Sequence, residues 1–402
     1  MSEADRAARA RHFVILLGWV SLFADLCYEG MRSAVGPYLA LLGASATAVG
    51  AVAGTGEFVG YALRLWSGAL VDRTHAYWGL TVTGYACNVV AVPLLAIAGN
   101  WPAVAALVAL ERLGKAIRSP AKTTLTSFAA TDLGAGKAFA INEAMDQAGA
   151  VLGPLAVAGI LAWRGNTLAG FGWAFVLLGT PALAAIAVLL RARRLYPDPR
   201  ALEQEPAEGA AAPLGPSYRL YLVGVALVAI GLADWPLLAF HFERTGVMTA
   251  AWLPIAYAAA MGADGLVSLV AGLAFDRART RGGTGAGVVA LFVIAGAAYA
   301  PLAFTTTPLF AILGIGLWSL ARAATESIGK ALIAAIVPRA QRGRAYGVYF
   351  LVYGGAWWAG SLLLGAIYDR DRPLVGVVAA GALAAGAAIV AWSGAKARTT
   401  AA

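Results

Sequence analysis

Long runs of apolar residues follow one another along most of the chain, and charged residues concentrate in the segments between them. Each run has about twenty residues, the length at which an α-helix crosses the hydrocarbon core of a bilayer. The pattern therefore predicts twelve membrane-spanning helices. They lie near residues 12–34, 46–70, 76–98, 102–126, 138–162, 168–190, 218–240, 249–274, 285–304, 308–336, 345–367 and 374–394.

One connection between the predicted spans is much longer than the others. Residues 191–217, with the sequence RARRLYPDPRALEQEPAEGAAAPLGPS, are polar and rich in Pro, Ala and charged side chains. This composition is typical of a linker. It divides the chain into an N-terminal six-helix half, residues 1–190, and a C-terminal six-helix half, residues 218–402.

The two halves repeat short motifs at matching places. SGALVDR (67–73), after span two, matches AGLAFDR (271–277), after span eight. GKAFAINEAMDQAGAVLGP (136–154), in span five, matches GRAYGVYFLVYGGAWWAGS (343–361), in span eleven. Two parallel repeats with a ligand site between them near the bilayer midplane form a transporter architecture.

Composition agrees with a polytopic all-α membrane protein, because 60% of the residues are hydrophobic and only 13% are charged. The net charge of +9 raises nucleic acid as a partner, but the positions of the basic residues favour lipid headgroups instead. With the N-terminus in the cytoplasm, eighteen of the 30 Lys and Arg residues fall in cytoplasmic segments and four in outer loops. This bias predicts a multi-pass protein with both termini inside. The high Ala and Gly content indicates a bacterial genome, and hence the bacterial plasma (inner) membrane.

Three groups of residues carry a resemblance to a known family. GALVDRT lies between spans two and three and has a second copy after span eight, ERLGKA lies in span four, and GAVLGP lies in span five. On these motifs the chain resembles the major facilitator superfamily over essentially its full length. The motif residues are Gly68, Asp72, Arg73, Gly272, Asp276, Arg277, Arg112, Gly114, Gly149, Gly153 and Pro154.

The resemblance implies the fold of that family, with twelve helices in two pseudo-symmetric halves, and a monomer. It implies gating roles for Gly68, Asp72 and Arg73 and for their second copies Gly272, Asp276 and Arg277. The span-five motif is often associated with antiporters. The chain departs from the family pattern where THAYWGL replaces the basic run after Arg73, and where LA replaces the glycine pair after Pro154.

Span one carries ionisable residues at membrane depth, where such groups are costly and face a cavity or a partner. Asp25, Glu29 and Arg32 are spaced i, i+4, i+7 on one helix face, with Tyr28 close to it. One interpretation is a carboxylate pair that binds a proton, with Arg32 as counter-ion or substrate anchor. The other is a structural ion cluster that holds span one against a neighbour such as span five.

Span four carries a stripe of charge. Glu111, Lys115, Arg118 and Lys122 follow at i, i+4, i+7 and i+11, while Arg112 points about 100° away. The stripe indicates attraction for an anionic substrate, or counter-ions for the acids of spans one and five. The family resemblance favours a mechanistic role for Arg112.

Spans two and five add further polar groups to the first half. Asn142, Glu143 and Asp146 lie in the cytoplasmic half of span five, either as proton-coupling groups or in a gate salt bridge with Arg118 or Lys122. Span two places Glu57 and Arg64 seven residues apart, where a cavity role and a structural role are equally supported. The predicted proton-coupling residues are Asp25, Glu29, Glu143 and Asp146.

The second half carries fewer intramembrane charges. Glu326 and Lys330 occupy the repeat positions of Arg118 and Lys122, which indicates a polarised cavity or a salt bridge between the halves, although the i, i+4 spacing also allows self-pairing. Asp234 matches Asp25 through the motifs GLADW and LFADL. Tryptophans in the second half are expected to face lipid more often than ligand. The predicted cavity residues of both halves are Tyr28, Arg32, Glu57, Arg64, Arg112, Arg118, Lys122, Asn142, Asp234, Glu326 and Lys330.

The sequence favours a transporter over an enzyme. His12, His75 and His241 do not cluster into a metal site, and no nucleotide-binding or nucleophile motif occurs, so no cofactor, metal or ATP-driven mechanism is expected. We expect proton-coupled export of an amphipathic or drug-like compound by alternating access. The alternatives are proton-coupled uptake of an organic anion, a facilitative uniporter, and a receptor or assembly protein that keeps the transporter fold.

Overall fold

A computed structural model of the protein describes residues 3–133, 135–198, 215–337 and 342–399. These residues form α-helices joined by short turns, and the described ranges contain no strand. The predicted linker lies mostly outside them. The helices are α1 (Glu3–Leu41), α2 (Ala46–Thr74), α3 (Tyr77–Leu94), α4 (Trp101–Leu133), α5 (Ala135–Arg164), α6 (Leu168–Leu195), α7 (Pro216–Gly231), α8 (Trp235–Thr245), α9 (Trp252–Thr280), α10 (Ala286–Gly296), α11 (Tyr299–Ala303), α12 (Pro308–Ala323), α13 (Gly329–Ile336), α14 (Arg342–Arg370) and α15 (Arg372–Thr399).

Three of the predicted spans are interrupted. Span seven divides into α7 and α8, because the Asp234 side chain accepts a 2.8 Å hydrogen bond from the Trp235 amide and Pro236 follows in the first turn of α8. Span nine divides into α10 and α11. Span ten runs through α12, a π-helical turn at Ala324–Ile328, and α13.

Ten described segments are long and apolar enough to cross a membrane, so the chain is a multi-pass membrane protein. Helices α2 and α4 fall in the same range of lengths as these segments but are not among the ten. Helix α2 carries Glu57 and Arg64, and α4 carries the charged stripe of span four. Hydropathy alone therefore supports ten of the twelve predicted spans.

The described residues cluster into two compact units. The first unit comprises those of 1–42, 59–207 and 250–258, and the second those of 43–58, 208–249 and 259–402. Each unit thus contains most of one predicted half. The start of α2 is grouped with the second unit, and the start of α9 with the first.

Close helix packing in the first unit depends on glycines at two crossings. A Cβ atom on Gly149 or Gly153 of α5 would overlap the carbonyl oxygens of Leu22 or Leu26 in α1. A Cβ atom on Gly84 of α3 would likewise overlap α4. Small residues that let backbones approach in this way are the usual means by which membrane helices associate.

The second unit buries large aromatic side chains that the sequence interpretation expected to face lipid. Trp235, Trp318 and Trp357 are all almost completely buried, whereas Trp358 is partly exposed. The Trp318 indole donates a 2.8 Å hydrogen bond to the carbonyl of Ala233, in the break between α7 and α8. The expectation is wrong for the three buried residues, because they pack inside the unit. Trp235 and Trp318 lie against each other at the break between α7 and α8, and Trp357 packs against Tyr353.

Candidate substrate-binding site

A polar cavity of about 610 Å³ lies within the first unit. Helix α4 provides its longest wall, and α1, α2, α3 and α5 complete it. All eleven side chains that line it are polar or charged. They are Asp25, Arg64, Tyr85, Lys115, Arg118, Ser119, Lys122, Thr123, Thr126, Asn142 and Asp146.

Six predicted site residues therefore lie around one cavity. The α4 stripe supplies most of the wall, because residues 115, 118, 119, 122, 123 and 126 follow one another on a single helical face. The Ser119, Thr123 and Thr126 positions continue that face and could have been recognised from its periodicity. The six predicted residues are Asp25, Arg64, Arg118, Lys122, Asn142 and Asp146.

Asp25 is the carboxylate of α1 that reaches the cavity. It is half-buried, and none of the described side chains forms a hydrogen bond or ion pair with it. It interacts electrostatically with Lys115 and Lys122 of α4, with Asp146 of α5 and with Glu29 of α1. Asp25 therefore interacts with a set of charged groups and not with one dedicated partner.

A short chain of polar contacts joins α4, α1 and α5 beside the cavity. Lys122 lies 3.6 Å from Asp146 and donates a hydrogen bond to the Ser21 hydroxyl. The Ser21 hydroxyl in turn donates to the Asn142 side-chain oxygen at 3.2 Å. The predicted pairing of a span-five acid with Lys122 is thus formed in the structure.

Arg118 is held differently. Its guanidinium donates a 3.1 Å hydrogen bond to the side-chain oxygen of Asn88 and lies 4.5 Å from the centre of the Tyr85 ring. Both partners belong to α3, and neither is a carboxylate. Neither was singled out from the sequence, because α3 is apolar overall and a lone Asn or Tyr in such a helix carries no pattern.

The remaining predicted residues of span one point to different partners. The buried Glu29 carboxyl accepts a 2.5 Å hydrogen bond from the Tyr257 hydroxyl, which α9 contributes to the first unit. The Tyr28 hydroxyl accepts hydrogen bonds from Arg112 and, at 3.4 Å, from Arg32. Tyr257 was missed because nothing in its local sequence indicates a partner 228 residues away.

The second unit contains two ion pairs formed between its own residues. Lys330 and Glu326 form a 2.8 Å ion pair one helical turn apart, and Arg322 lies 3.2 Å from Asp264. Asp234 caps α8. Glu57, on the part of α2 that belongs to the second unit, is buried. These residues do not line the cavity of the first unit.

Several tyrosine hydroxyls near Glu326 bond to the backbone in and beside the π-helical turn. A π turn breaks the regular backbone hydrogen-bond ladder and is frequent at functional sites. Here the Tyr221 hydroxyl donates to the Gly329 carbonyl at 2.6 Å, and the Tyr349 hydroxyl to the Thr325 carbonyl at 3.2 Å. These hydroxyls therefore satisfy backbone carbonyls in and beside the turn.

The predicted gating residues lie near the ends of α2 and α9. Arg73, Asp276 and Arg277 are exposed, and Gly68 and Gly272 are partly buried. The side chains of Asp72 and Glu143 lie outside the described residues. The gating roles stay predictions.

Comparison with known proteins gives a family and several relatives. The sequence model of the Major Facilitator Superfamily matches residues 17–361. An uncharacterized protein of Mycobacterium tuberculosis is 42% identical over 369 residues, which cover 90% of this chain and 88% of that protein. An uncharacterized MFS-type transporter of Methanocaldococcus jannaschii is 29% identical over 140 residues, or 35% of each chain.

Solved transporter structures share the fold at low sequence identity. The peptide transporter POT in complex with sulfate superposes with a TM-score of 0.75 at 15% identity, covering 98% of this chain and 99% of that one. The nucleoside transporter NupG gives a TM-score of 0.73 at 13% identity, covering 96% and 98%. A bacterial homologue of the human lysosomal transporter Spinster, inward-facing and unoccupied, gives 0.68 at 14%, covering 97% and 96%.

Proposed function

Because the chain belongs to the Major Facilitator Superfamily, we propose that it is a proton-coupled secondary transporter of a small polar solute. The membrane would be the bacterial plasma membrane, with both termini in the cytoplasm. The observation that carries the proposal is the cavity of the first unit, where polar side chains alone form the lining and Asp25 stands without a dedicated partner.

The polar lining favours a hydrophilic solute over the amphipathic or drug-like compound expected from the sequence. Pockets for drug-like molecules are lined predominantly by apolar and aromatic side chains, with a few polar groups for orientation. The residue types around this cavity differ from that pattern, since none of the eleven is aliphatic and Tyr85 is the one aromatic residue among them. An apolar compound would desolvate charged groups there without compensating them.

Proton coupling is supported by the surroundings of Asp25. Asp25 interacts electrostatically with two lysines, Lys115 and Lys122, and with two further carboxyl groups, Asp146 and Glu29. Loading one proton on Asp25 would remove one of the two negative charges of the cavity lining. Solute binding and proton binding would then influence each other through charge alone, as linkage between two sites requires.

The span-five motif that suggested export has a packing role in this structure. Gly149 and Gly153 let α5 approach the backbone of α1 on either side of Leu26. Residues that serve close packing carry no information on the direction of transport. The proposed mechanism is therefore compatible with both uptake and export, and transport is measured in each direction.

The test uses the full-length protein in proteoliposomes that contain a pH-sensitive dye. Solutes are added on either side, with and without a pH gradient. The panel comprises amino acids, dipeptides, nucleosides, mono- and dicarboxylates, and the lipophilic cation tetraphenylphosphonium. We expect proton flux with a hydrophilic solute, and a loss of at least tenfold in Asp25→Asn. Asp198→Asn, which removes an exposed carboxylate after α6, is the matched control.

Each other outcome contradicts a part of the proposal. Solute movement without proton flux in the wild type would indicate a facilitative uniporter. Full proton flux in Asp25→Asn would remove Asp25 from the coupling mechanism. A response to tetraphenylphosphonium alone would restore the amphipathic substrate, and no movement across the panel would favour the receptor or assembly-protein alternative.

A further inference from the structure

Arg118 is a buried cation beside the cavity that no described acid neutralises. The residue is only 4% exposed, and its partners are the neutral Asn88 amide and the Tyr85 ring. Within the described part of the chain, no carboxylate lies within ion-pair distance of its guanidinium. Buried charges in proteins are paired or hold a ligand, because an uncompensated charge in an apolar interior is costly.

Helix α3 holds Arg118 in a fixed place. Gly84 has no side chain where a Cβ atom would overlap the Cβ atom of Arg118, so the arginine can pass close to α3. The guanidinium carbon then lies over the Tyr85 ring, and the Asn88 side-chain oxygen accepts a hydrogen bond from one guanidinium nitrogen. A guanidinium held in this way keeps its other donors available in a fixed fork, which is the geometry that binds an oxyanion.

The side-chain amide of Asn88 provides a second hydrogen-bond donor that lacks an acceptor. The Asn88 oxygen accepts a hydrogen bond from Arg118, so the nitrogen is the group of this amide that Arg118 does not use. None of the described atoms accepts a hydrogen bond from that buried nitrogen. Orphaned buried donors are rare in native structures and call for a specific explanation. An anion next to Arg118 would supply the missing acceptor.

The charge balance of the cavity points the same way. Arg64, Lys115, Arg118 and Lys122 line it, against Asp25 and Asp146. Asp146 is already 3.6 Å from Lys122. In the second unit, by contrast, the repeat counterparts Glu326 and Lys330 neutralise each other. The excess of positive charge is thus a property of the cavity.

We propose that the transported solute is an anion, and that Arg118 binds its carboxylate or phosphate oxygens. Asn88 and Tyr85 are positioning residues that hold the guanidinium. The transport role rests on the function proposed above, whereas the anion site itself can be tested without it. The cavity volume of about 610 Å³ suits a small organic or inorganic oxyanion.

The first experiment measures equilibrium binding to the purified full-length protein in detergent, with no proton gradient. The probes are lactate, succinate, inorganic phosphate and sulfate, with succinamide as the neutral counterpart of succinate. We expect at least one anion to bind and succinamide not to bind. Arg118→Gln should weaken that binding roughly tenfold to hundredfold, as expected for loss of a charge-assisted hydrogen-bond pair. Arg219→Gln removes an exposed positive charge on α7 and should bind like the wild type.

Asn88→Asp separates a ligand site from a merely structural one. The new carboxylate would neutralise Arg118 while leaving the packing of α3 almost unchanged. If Arg118 serves an anionic solute, Asn88→Asp should melt at the same or a higher temperature and yet lose anion affinity at least tenfold. A structural role predicts unchanged affinity.

Glu143→Gln tests whether a carboxylate of this chain takes the place of the ligand. If Arg118 is the counter-ion of Glu143, Arg118→Gln and Glu143→Gln each remove one member of that ion pair. Both variants would then lower the melting temperature of the protein equally without altering its anion affinity. That result would overturn the proposal, as would Arg118-independent binding or no binding for all four anions. Anion binding without proton flux would contradict only the transport function, and proton flux with neutral solutes alone would contradict only the anion site.

Discussion

At the scale of single residues, Glu29 shows how an ionisable side chain at membrane depth is stabilised away from the cavity. Its carboxyl is buried and accepts a 2.5 Å hydrogen bond from Tyr257. Tyr257→Phe removes that donor and leaves a buried carboxyl oxygen without it. We expect a loss of about 1–3 kcal/mol in stability, the usual cost of an unsatisfied buried polar group, seen as a lower melting temperature in detergent.

Glu29→Gln provides the matched comparison for Tyr257→Phe. The glutamine amide oxygen can accept the same hydrogen bond, so Glu29→Gln should melt close to the wild type if the bond is what stabilises this site. The double variant should then lose no more than Tyr257→Phe does, because the two changes act on one interaction. Equal melting temperatures for Tyr257→Phe and wild type would show that the bond contributes nothing to stability.

Spacing along α1 could predict which residues share a helix face, but not what each one meets. Asp25, Glu29 and Arg32 follow the expected i, i+4, i+7 series, yet Asp25 lines the cavity, Glu29 bonds to α9, and Arg32 bonds to Tyr28. The periodicity of one helix fixes directions within that helix only. The partner in each direction depends on which other helix packs there, and that information is spread over the whole chain.

At the scale of helices, the crossing of α1 and α5 depends on Gly153. A Cβ atom there would overlap the carbonyl of Leu26, which is backbone and cannot move aside alone. Gly153→Ala should therefore destabilise the protein by about 1–3 kcal/mol through overpacking, and it should displace the α1 segment that carries Asp25. Melting temperature and solute-driven proton flux in proteoliposomes measure the two effects.

The same helix contains the control for Gly153. A Cβ atom on Gly159 of α5 would meet nothing within contact distance. Gly159→Ala should leave the melting temperature unchanged or raise it slightly, since alanine favours a helix over glycine by about 0.5–1 kcal/mol. If both alanine variants behave alike, the packing explanation of the span-five motif is wrong.

Helix interruptions mark the limit of hydropathy as a predictor of elements. The run over 218–240 is apolar throughout and predicts one span, but Asp234 and Pro236 start a new helix inside it. Those two residues are ordinary helix-start signals and could have been recognised. The π turn at Ala324–Ile328 has no comparable signal, because the tyrosines that bond to carbonyls in it and beside it come from the distant helices α14 and α7.

At the scale of the whole molecule, the family and the all-helical membrane fold follow from features that recur along the chain. Apolar runs, the repeated DR motifs and the glycine motif each provide independent evidence, and the family match over residues 17–361 confirms the resemblance. The grouping of residues 43–58 with the second unit and of 250–258 with the first could not be predicted. Contacts decide that grouping, and no linker or composition change marks it.

Orientation is the whole-molecule property that the charges predict most directly. Eighteen of the 30 basic residues lie in segments assigned to the cytoplasm and four in outer loops, and basic loops resist translocation across the membrane. The turn that contains Ala76 should thus face the cytoplasm, and the turn that contains Gly99 should face outward. Both positions are exposed, and no neighbouring atom would contact a Cβ atom on Gly99.

Cysteine labelling in intact cells measures this orientation. Cys27 and Cys87 are free thiols, so both are first replaced by alanine. Ala76→Cys and Gly99→Cys are then introduced separately into that background. A membrane-impermeant maleimide should label Gly99→Cys in intact cells and Ala76→Cys only after permeabilisation, which shows that both thiols are reactive. The opposite labelling would invert the predicted topology, and with it the side of the membrane on which every predicted gating residue acts.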